Sequence, residues 1–396
     1  MVDYDFLSVY FYSVPNLRFN QFNSEWERKS IGDFINEVKE YTSSFEKYPL
    51  YSFTIESGVT PKTERYERNF LVKKDGDLFK VVHPNNFVMN PMNLRFGAIN
   101  YSKQTIDVSV SGYYDIFEID NSNYNDFWNA YFKAPQTINT YNSIATGSLV
   151  EKKRVHFSQL KSLKFYLPSN DEKEKINSFI KLLDDRISVQ IKIIEEYVIL
   201  KNSLIHRFFT MDNPKVKLST ILTEINIKNK NKQIDTVLSV SNKLGFIKQS
   251  EQFEDREVAS DDTSNYKIVN KGDYAYNPAR INVGSIARLI NYDKGIISPM
   301  YSCFKINEKK ITYTYFDMFL SSFSFKRQLN KKLEGSVRQC LTFEGMLSMD
   351  IELPCIETQK SISNKIDMLN YKIKLESDYR EALIKQKQFL LNNMFI

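Results

Sequence analysis

Two Asn-Pro pairs, Asn90-Pro91 and Asn277-Pro278, are where chemistry on a nucleobase could first be sought in this sequence. An enzyme that modifies adenine extrudes the base from the stack. It then grips it with an Asn/Asp-Pro-Pro-aromatic tetrapeptide and holds S-adenosylmethionine on a glycine-rich loop. Here the pairs continue as Met92 and Ala279, without the second proline or the aromatic, and no glycine-rich cofactor loop accompanies them. The three histidines, His83, His156 and His206, are too scattered to form a general-base or metal constellation. Cys303, Cys340 and Cys355 show no paired spacing, which argues against both a disulfide framework and a zinc site. The sequence therefore offers no catalytic residue and no metal ligand set.

What the sequence does offer is a repeat, and repeats govern how everything else is placed. The stretch Leu167 to Phe209 returns as Leu353 to Phe395: Pro168 matches Pro354, Lys201 matches Lys387 and Phe209 matches Phe395, all at an offset of 186 residues. In each copy apolar residues step by four and three, as in a heptad seam that keeps one stripe against a partner helix. The first seam is Ile176, Ile180, Leu183, Ile187, Ile194 and Leu204; the second is Ile362, Ile366, Leu369, Ile373, Leu383 and Leu390. Ser169 and Glu172 make a capping box for the first copy. About 38 residues at ~1.5 Å each give a rod of roughly 55 to 60 Å. Each rod is the other's evident mate; the plainer alternative is two long core helices belonging to separate domains. Lys201 and Lys387 interrupt both seams at the same place, as a coiled coil with a fixed register would.

The segments between the rods repeat as well. Gly58 aligns with Gly245, Asn90-Pro91 with Asn277-Pro278, Gly97 with Gly284 and Ile99 with Ile286, at an offset of 187. Later, Gly147-Ser148 matches Gly335-Ser336. Glycines, turns and apolar positions recur, whereas the polar stretches between them differ, so two domains share a frame and carry different loops. The expected boundaries are an N-terminal segment 1–26, a first domain 27–168, a central helix 169–211, a second domain 212–354 and a C-terminal helix 355–396. Within the first domain, RKSIGDFINEV from Arg28 reads as a short helix followed by extended runs. The fold class is α+β: two similar domains alternating with two long helices that pair as an antiparallel coiled coil, a pseudo-twofold internal repeat.

This order closely resembles the DNA-specificity (S) subunit of Type I restriction-modification systems. The likeness rests on LRF at Leu17 with WERKSIGDF ending at Phe34, on the two Asn-Pro to Gly-x-Ile segments, and on GSVRQCLTFEGMLSMDIELP from Gly335 to Pro354. It rests most on the proline, early acidic residue and spaced Ile/Leu positions that open each rod. The resemblance implies that each globular part is a target-recognition domain and the two helices an antiparallel spacer. It also implies that the Asn-Pro pairs are structural turns. Partners follow from it: double-stranded DNA, two modification (methyltransferase) subunits and restriction (endonuclease/translocase) subunits. S-adenosylmethionine, ATP and Mg belong on those subunits and no cofactor on this chain. Two heads on a rod of fixed length would read an asymmetric bipartite site with a fixed gap.

Charge allows this without proving it. The formal net charge is +6, and the two rods take up little of it, so affinity for a polyanion must come from local placement of cations. The residues expected at DNA are Lys62, Arg65, Arg68, Arg95, Lys103 and Arg154 in the first domain. In the second they are Lys228, Lys230, Lys248, Arg256, Arg280, Arg288 and Arg338. Arg95 and Arg280 stand out because each lies between its Asn-Pro pair and the following glycine, although two positions apart in register. Met1-Val2-Asp3-Tyr4-Asp5 has no basic n-region, and no apolar run is long enough for a bilayer, so a cytoplasmic protein without a membrane partner is expected. Two other classes stay open. A coiled-coil scaffold would bind proteins without sequence-specific DNA affinity, and a self-sufficient methyltransferase or nuclease would need activity from the lone chain.

Overall fold

The computed structural model describes residues 14–61, 78–148, 153–210, 213–252, 262–335 and 339–396. The chain divides into two compact units: Met1–Ile191 with Asp378–Ile396 (unit 1), and Lys192–Ser377 (unit 2). Helix and strand are mixed in both.

In unit 1, β1 (Glu27–Ser30) leads through a single 3-10 turn, Ile31–Asp33, into β2 (Ile35–Glu37). This replaces the short helix expected from Arg28 onwards. The apolar spacing that suggested a helix is real, since Ile31 and Ile35 are fully buried. Pairing decides against the helix: β1 runs antiparallel to β11 (Lys164–Leu167). Gly32 passes so close that a Cβ there would lie 2.8 Å from the Lys161 carbonyl oxygen. Next come β3 (Tyr41–Thr42), β4 (Tyr51–Thr54), β5 (Gly58–Pro61), β6 (Phe79–Val82), β7 (Phe87–Met89), β8 (Ile99–Tyr101), β9 (Val108–Ser111) and β10 (Asp115–Ile119). The main sheet has the order β2-β10-β7-β8; β3-β6-β9 and the β4-β5 hairpin stand beside it. Helices α1 (Asn125–Phe132), α2 (Pro135–Ile144) and α3 (Phe157–Ser162) follow. Phe87, Phe117, Phe127, Trp128, Tyr131 and Phe132 fill the core between sheet and helices.

The first long helix, α4 (Asn170–Phe208), begins in unit 1. Its N-terminus is half a capping box. The Glu172 backbone N–H reaches Ser169 Oγ at 3.3 Å, but the Glu172 side chain does not return to Ser169. Its carboxylate instead takes Arg18 Nε and Nη2, each at 2.7 Å, and Trp26 Nε1 at 3.2 Å. Glu172 is fully buried and Arg18 nearly so. An acid beside a helix N-terminus is favourable, and here it also fastens residues 14–26 to the unit. The end of the last helix returns to the same core, where Phe395 packs on Phe127 and Tyr131.

Unit 2 uses β12 (Lys215–Lys217), β13 (Leu222–Ile225), β14 (Val237–Ser241), β15 (Gly245–Lys248), β16 (Lys267–Asn270), β17 (Tyr274–Tyr276), β18 (Ile286–Arg288), β19 (Lys294–Ile297), β20 (Ser302–Ile306) and β21 (Asp350–Glu352). Besides the one-turn helix Gln249–Gln252, it has α5 (Tyr313–Ser321), α6 (Phe323–Lys332), α7 (Phe343–Leu347) and the first part of α8 (Ile356–Met394). The sheet β13-β20-β17-β18 repeats the order of β2-β10-β7-β8, and β12-β21 repeats β1-β11. The second sheets differ, since unit 2 has a continuous β15-β14-β19-β16.

Each unit contains parts of both long helices. In unit 1, Ile176 and Ile180 of α4 share a core with Leu391 and Met394 of α8, and Lys387 pairs with Asp184. In unit 2, Leu204 and Ile205 share a core with Ile362, Ile366 and Leu369, and Lys201 Nζ donates to Asn370 Oδ1 at 3.3 Å. The two lysines that interrupt the apolar spacing thus each meet a polar group of the other helix. All the seam positions, Leu183, Ile187, Ile194, Ile373, Leu383 and Leu390 among them, are buried or half-buried.

Candidate nucleic-acid interface

The Asn-Pro segments form one device built twice. In unit 1 it joins β7 to β8. Asn90 Oδ1 accepts the Met92 backbone N–H at 3.1 Å, the turn closes through Asn90 N–H to the Ala98 carbonyl at 3.0 Å, and a 3-10 turn, Leu94–Phe96, ends on Gly97. In unit 2, Asn277 Oδ1 accepts from Ala279 at 3.0 Å, Asn277 N–H reaches the Ser285 carbonyl at 3.0 Å, and Ile281–Val283 ends on Gly284. Gly97 and Gly284 have φ of +82° and +94°, in the left-handed region that glycine occupies without a Cβ penalty. Both turns use asparagine as a backbone cap, which is a structural role. They hold an exposed apolar residue at the same point of the tip, Phe96 at 62% exposure and Val283 at 54%.

Behind each tip a carboxylate on the next helix meets the hairpin. In unit 1 the Tyr101 hydroxyl donates to Asp126 of α1 at 2.6 Å, with Lys103 Nζ 3.9 Å from the same carboxylate. In unit 2 the matching strand position is Arg288, which donates Nε and Nη2 to Asp317 of α5 at 3.1 and 2.8 Å and lies over the Tyr313 ring. Burial raises the Asp317 carboxyl, while Tyr274 and Arg288 pull it down only in part. Arg288 borders an open groove of about 390 Å³ whose walls include Gly245, Gly284, Ile286 and Leu320. In unit 1, Lys133 at the end of α1 donates to Asn100 Oδ1 and is held down to about 8, by burial first and then by Lys387 and Lys103.

The remaining expected DNA contacts are dispersed. Arg95 is half-buried with its guanidinium over Phe96, 5.1 Å from the ring centre. Arg154 is exposed at the closed base of a short loop, bridged to Thr146, and the next residue, Val155, donates its N–H to the Pro91 carbonyl at 2.9 Å. Arg280 is exposed and caps the 3-10 turn of its hairpin. Lys228, Lys230 and Lys248 are exposed, the first two after β13, where Lys228 bridges Lys267 at the start of β16, and the third at the end of β15. The hairpin therefore gathers Arg95 and Arg154 in unit 1 and Arg280 with Arg288 in unit 2, and the three lysines stand apart. Lys62, Arg65, Arg68, Arg256 and Arg338 lie outside the described residues.

Helix α6, FSFKRQLNKK, escaped the sequence reading. Lys326, Arg327, Lys331 and Lys332 are all exposed, no acidic residue lies on the helix, and none of the four has an ion pair among the described residues. Its sequence signal was present, four cations in ten residues, but it sits on the repeated frame and not in a variable loop. The histidines lie in separate places. His83 bridges Asp107 and Glu40 at 2.8 and 2.9 Å, His156 begins α3, and His206 is edge-on to Phe323. Among the described residues no cluster of His, Cys, Asp or Glu could hold a metal ion, and no helix is long and apolar enough to cross a membrane.

No protein-family model matches the sequence, and no curated protein matches it. Solved structures do. The S subunit of a Type I restriction-modification system from M. genitalium is 13% identical, aligned over 97% of this chain and 99% of that one, with a TM-score of 0.50. A chain from work on complex assembly and conformational transition of the type I R-M system is 12% identical over 93% and 97%, with a TM-score of 0.57. At these identities the likeness is one of fold, and it runs essentially from end to end of both chains.

Proposed function

We propose that this chain is the DNA-specificity subunit of a Type I restriction-modification complex. The observation that carries the reading is the end-to-end likeness of fold to a Type I S subunit, over 97% of this chain and 99% of that one. The two frames, 27–168 and 212–354, are target-recognition domains related by a pseudo-twofold repeat. Residues 169–211 and 355–396 pair as one antiparallel coiled coil that acts as a spacer; of the N-terminal segment 1–26, residues 14–26 secure the first domain. Each domain reads one half-site, and the rod, roughly 55 to 60 Å long, sets the gap between them.

Reading falls to the residues at and around the two hairpins. An arginine there takes a guanine edge bidentately or a phosphate, and a tip residue such as Phe96 or Val283 presses on a thymine methyl or a sugar. Because Tyr101 stands where Arg288 does, the half-sites differ and the site is asymmetric. The chain itself is non-catalytic. Base flipping and methyl transfer from S-adenosylmethionine belong to two modification subunits, and cleavage and ATP-driven, Mg-dependent translocation to restriction subunits. Exposed apolar residues along the long helices, Leu182, Val189, Ile199, Met368, Tyr371 and Phe389, offer those subunits a docking surface. The working compartment is the cytoplasm, where host DNA lies.

Reconstitution tests this. The chain is co-purified with a modification subunit and methyl transfer to plasmid DNA is followed with tritiated S-adenosylmethionine. Transfer that requires both proteins supports the reading. A stable complex whose methylation does not depend on this chain leaves only the scaffold, and transfer by the lone chain makes it an enzyme.

A further inference from the structure

Helix α6 carries more charge than its fold requires. Phe325 and Leu329 face the core, and Ser322 caps the N-terminus by accepting the Phe325 N–H at 3.1 Å. The opposite face shows Phe323, Lys326, Arg327, Asn330 and Lys331, all exposed, with Lys332 exposed beyond them. Cations in a last turn are favoured by the helix dipole, which accounts for Lys331 and Lys332. It does not account for Lys326 and Arg327, which sit before the last turn, where the dipole no longer favours positive charge.

The surroundings carry both signs. The 3-10 turn after Arg280 packs against α6. His206 lies edge-on to Phe323 at 5.9 Å. Of the acids around the helix, Asp350, whose backbone Gln328 holds, pairs with Lys217 at 2.9 Å, and Glu352 with Lys215 at 3.6 Å, while the exposed Glu334 and Glu344 lie past its C-terminal end and off its outward face. The equivalent helix of unit 1, α2, reads PQTINTYNSI and has no charged residue. Both helices precede the same bridged loop, so frame alone does not call for the cations.

Resting on the reading of this chain as a DNA-specificity subunit, we propose that the outward face of α6 lies along the sugar-phosphate backbone of the duplex read by unit 2. The salt-dependent share of DNA affinity is then concentrated in unit 2. The occupant is a phosphate chain because the face is cationic and free of acids. The spacing also fits: Arg327 and Lys331 are four residues apart, about 6 Å along the axis, close to two steps of ~3.4 Å along a strand. Lysine and arginine at such a face position the protein without reading sequence.

The test is fluorescence anisotropy with the full chain bound to its modification subunit, using a fluorescein-labelled duplex of about 40 base pairs and arbitrary sequence, in KCl from about 50 to 200 mM. Each phosphate contact adds about 0.9 to the slope of log affinity against log salt. Substituting Lys326→Gln, Arg327→Gln, Lys331→Gln and Lys332→Gln together should lower the slope by about 3 to 4. The fourfold rise in KCl should then cost the parent ~100-fold more affinity than the variant. Lys326→Arg with Lys331→Arg and Lys332→Arg should keep the parent slope, which separates loss of charge from loss of fold. Removing four other exposed charges, Lys271→Gln, Lys294→Gln, Lys305→Gln and Lys309→Gln, should leave the slope within about one unit of the parent. A steep parent slope that the α6 variant retains overturns the proposal while the DNA reading stands. Equal losses in the α6 variant and the control also overturn it, since net charge alone would then be responsible. An unchanged slope with loss of the modification subunit would make the occupant an acidic protein surface. A parent that shows no salt-dependent binding removes the DNA reading and the proposal with it.

Discussion

Removing the Arg18 guanidinium should destabilise unit 1 by about 3 kcal/mol. Glu172 is fully buried and receives two bonds from Arg18 and one from Trp26. In Arg18→Ala the carboxylate keeps only the indole N–H, so it must either stay charged without a counter-ion or take up a proton. Breaking a buried pair on one side costs about 3 to 5 kcal/mol; the remaining indole bond and the slight exposure of Arg18 place this case at the low end. The sequence contains two tryptophans, Trp26 and Trp128, and both are buried in unit 1, so tryptophan fluorescence follows this unit alone. For a unit of this size about 2 to 4 °C is lost per kcal/mol, which gives a fall in Tm of roughly 10 °C. The double variant Arg18→Met with Glu172→Met removes both charges and should recover most of the loss, because a buried pair is often worth little more than the apolar groups that replace it. Additive losses, with the double variant as damaged as the two single variants summed, would refute the argument that the unpaired charge is what costs.

Three further outcomes follow from the geometry. Burial opposes charge on His83, but its bonds to Asp107 and Glu40 prevail and hold its pKa above the ordinary 6.5. That contribution is complete below about 6.5 and is lost as pH rises through the folded value, so unit 1 should melt higher at about pH 6 than at about pH 8, by an increment absent from His83→Gln. Gly97→Ala, at φ +82° with no atom nearer than 3.8 Å to the new Cβ, should cost ~1 to 2 kcal/mol from the backbone alone, and Gly97→Asn less, as read by fluorescence-detected urea unfolding. Burial pushes the Cys303 thiol up to about 12, whereas Cys355 is exposed; iodoacetamide should label Cys355 in the native chain and Cys303 only after unfolding, by peptide mass mapping.

The scaffold was largely legible because what repeats is what local chemistry constrains. Asparagine caps and left-handed glycines fix the two hairpins, and heptad spacing fixes the long helices, so both could be read from residue type and offset. The segment from Arg28 misled because its apolar spacing suits one helical turn, while the partner that makes it a strand, Lys164–Leu167, lies far along the chain. Distance also hid the Arg18–Glu172 pair and the switch from Tyr101 to Arg288 against equivalent carboxylates. The α6 cations were visible as letters. Their meaning required knowing that the opposite face is buried and that α2 holds no charge at the same place.

The central claim is most directly tested by co-expressing this chain with its modification subunit in a host free of adenine methylation and mapping methylated adenines by long-read sequencing. The predicted result is one asymmetric motif, two short blocks around a fixed gap, absent when this chain is omitted. No motif, or a motif unchanged by omitting the chain, would contradict it and leave a protein-binding scaffold.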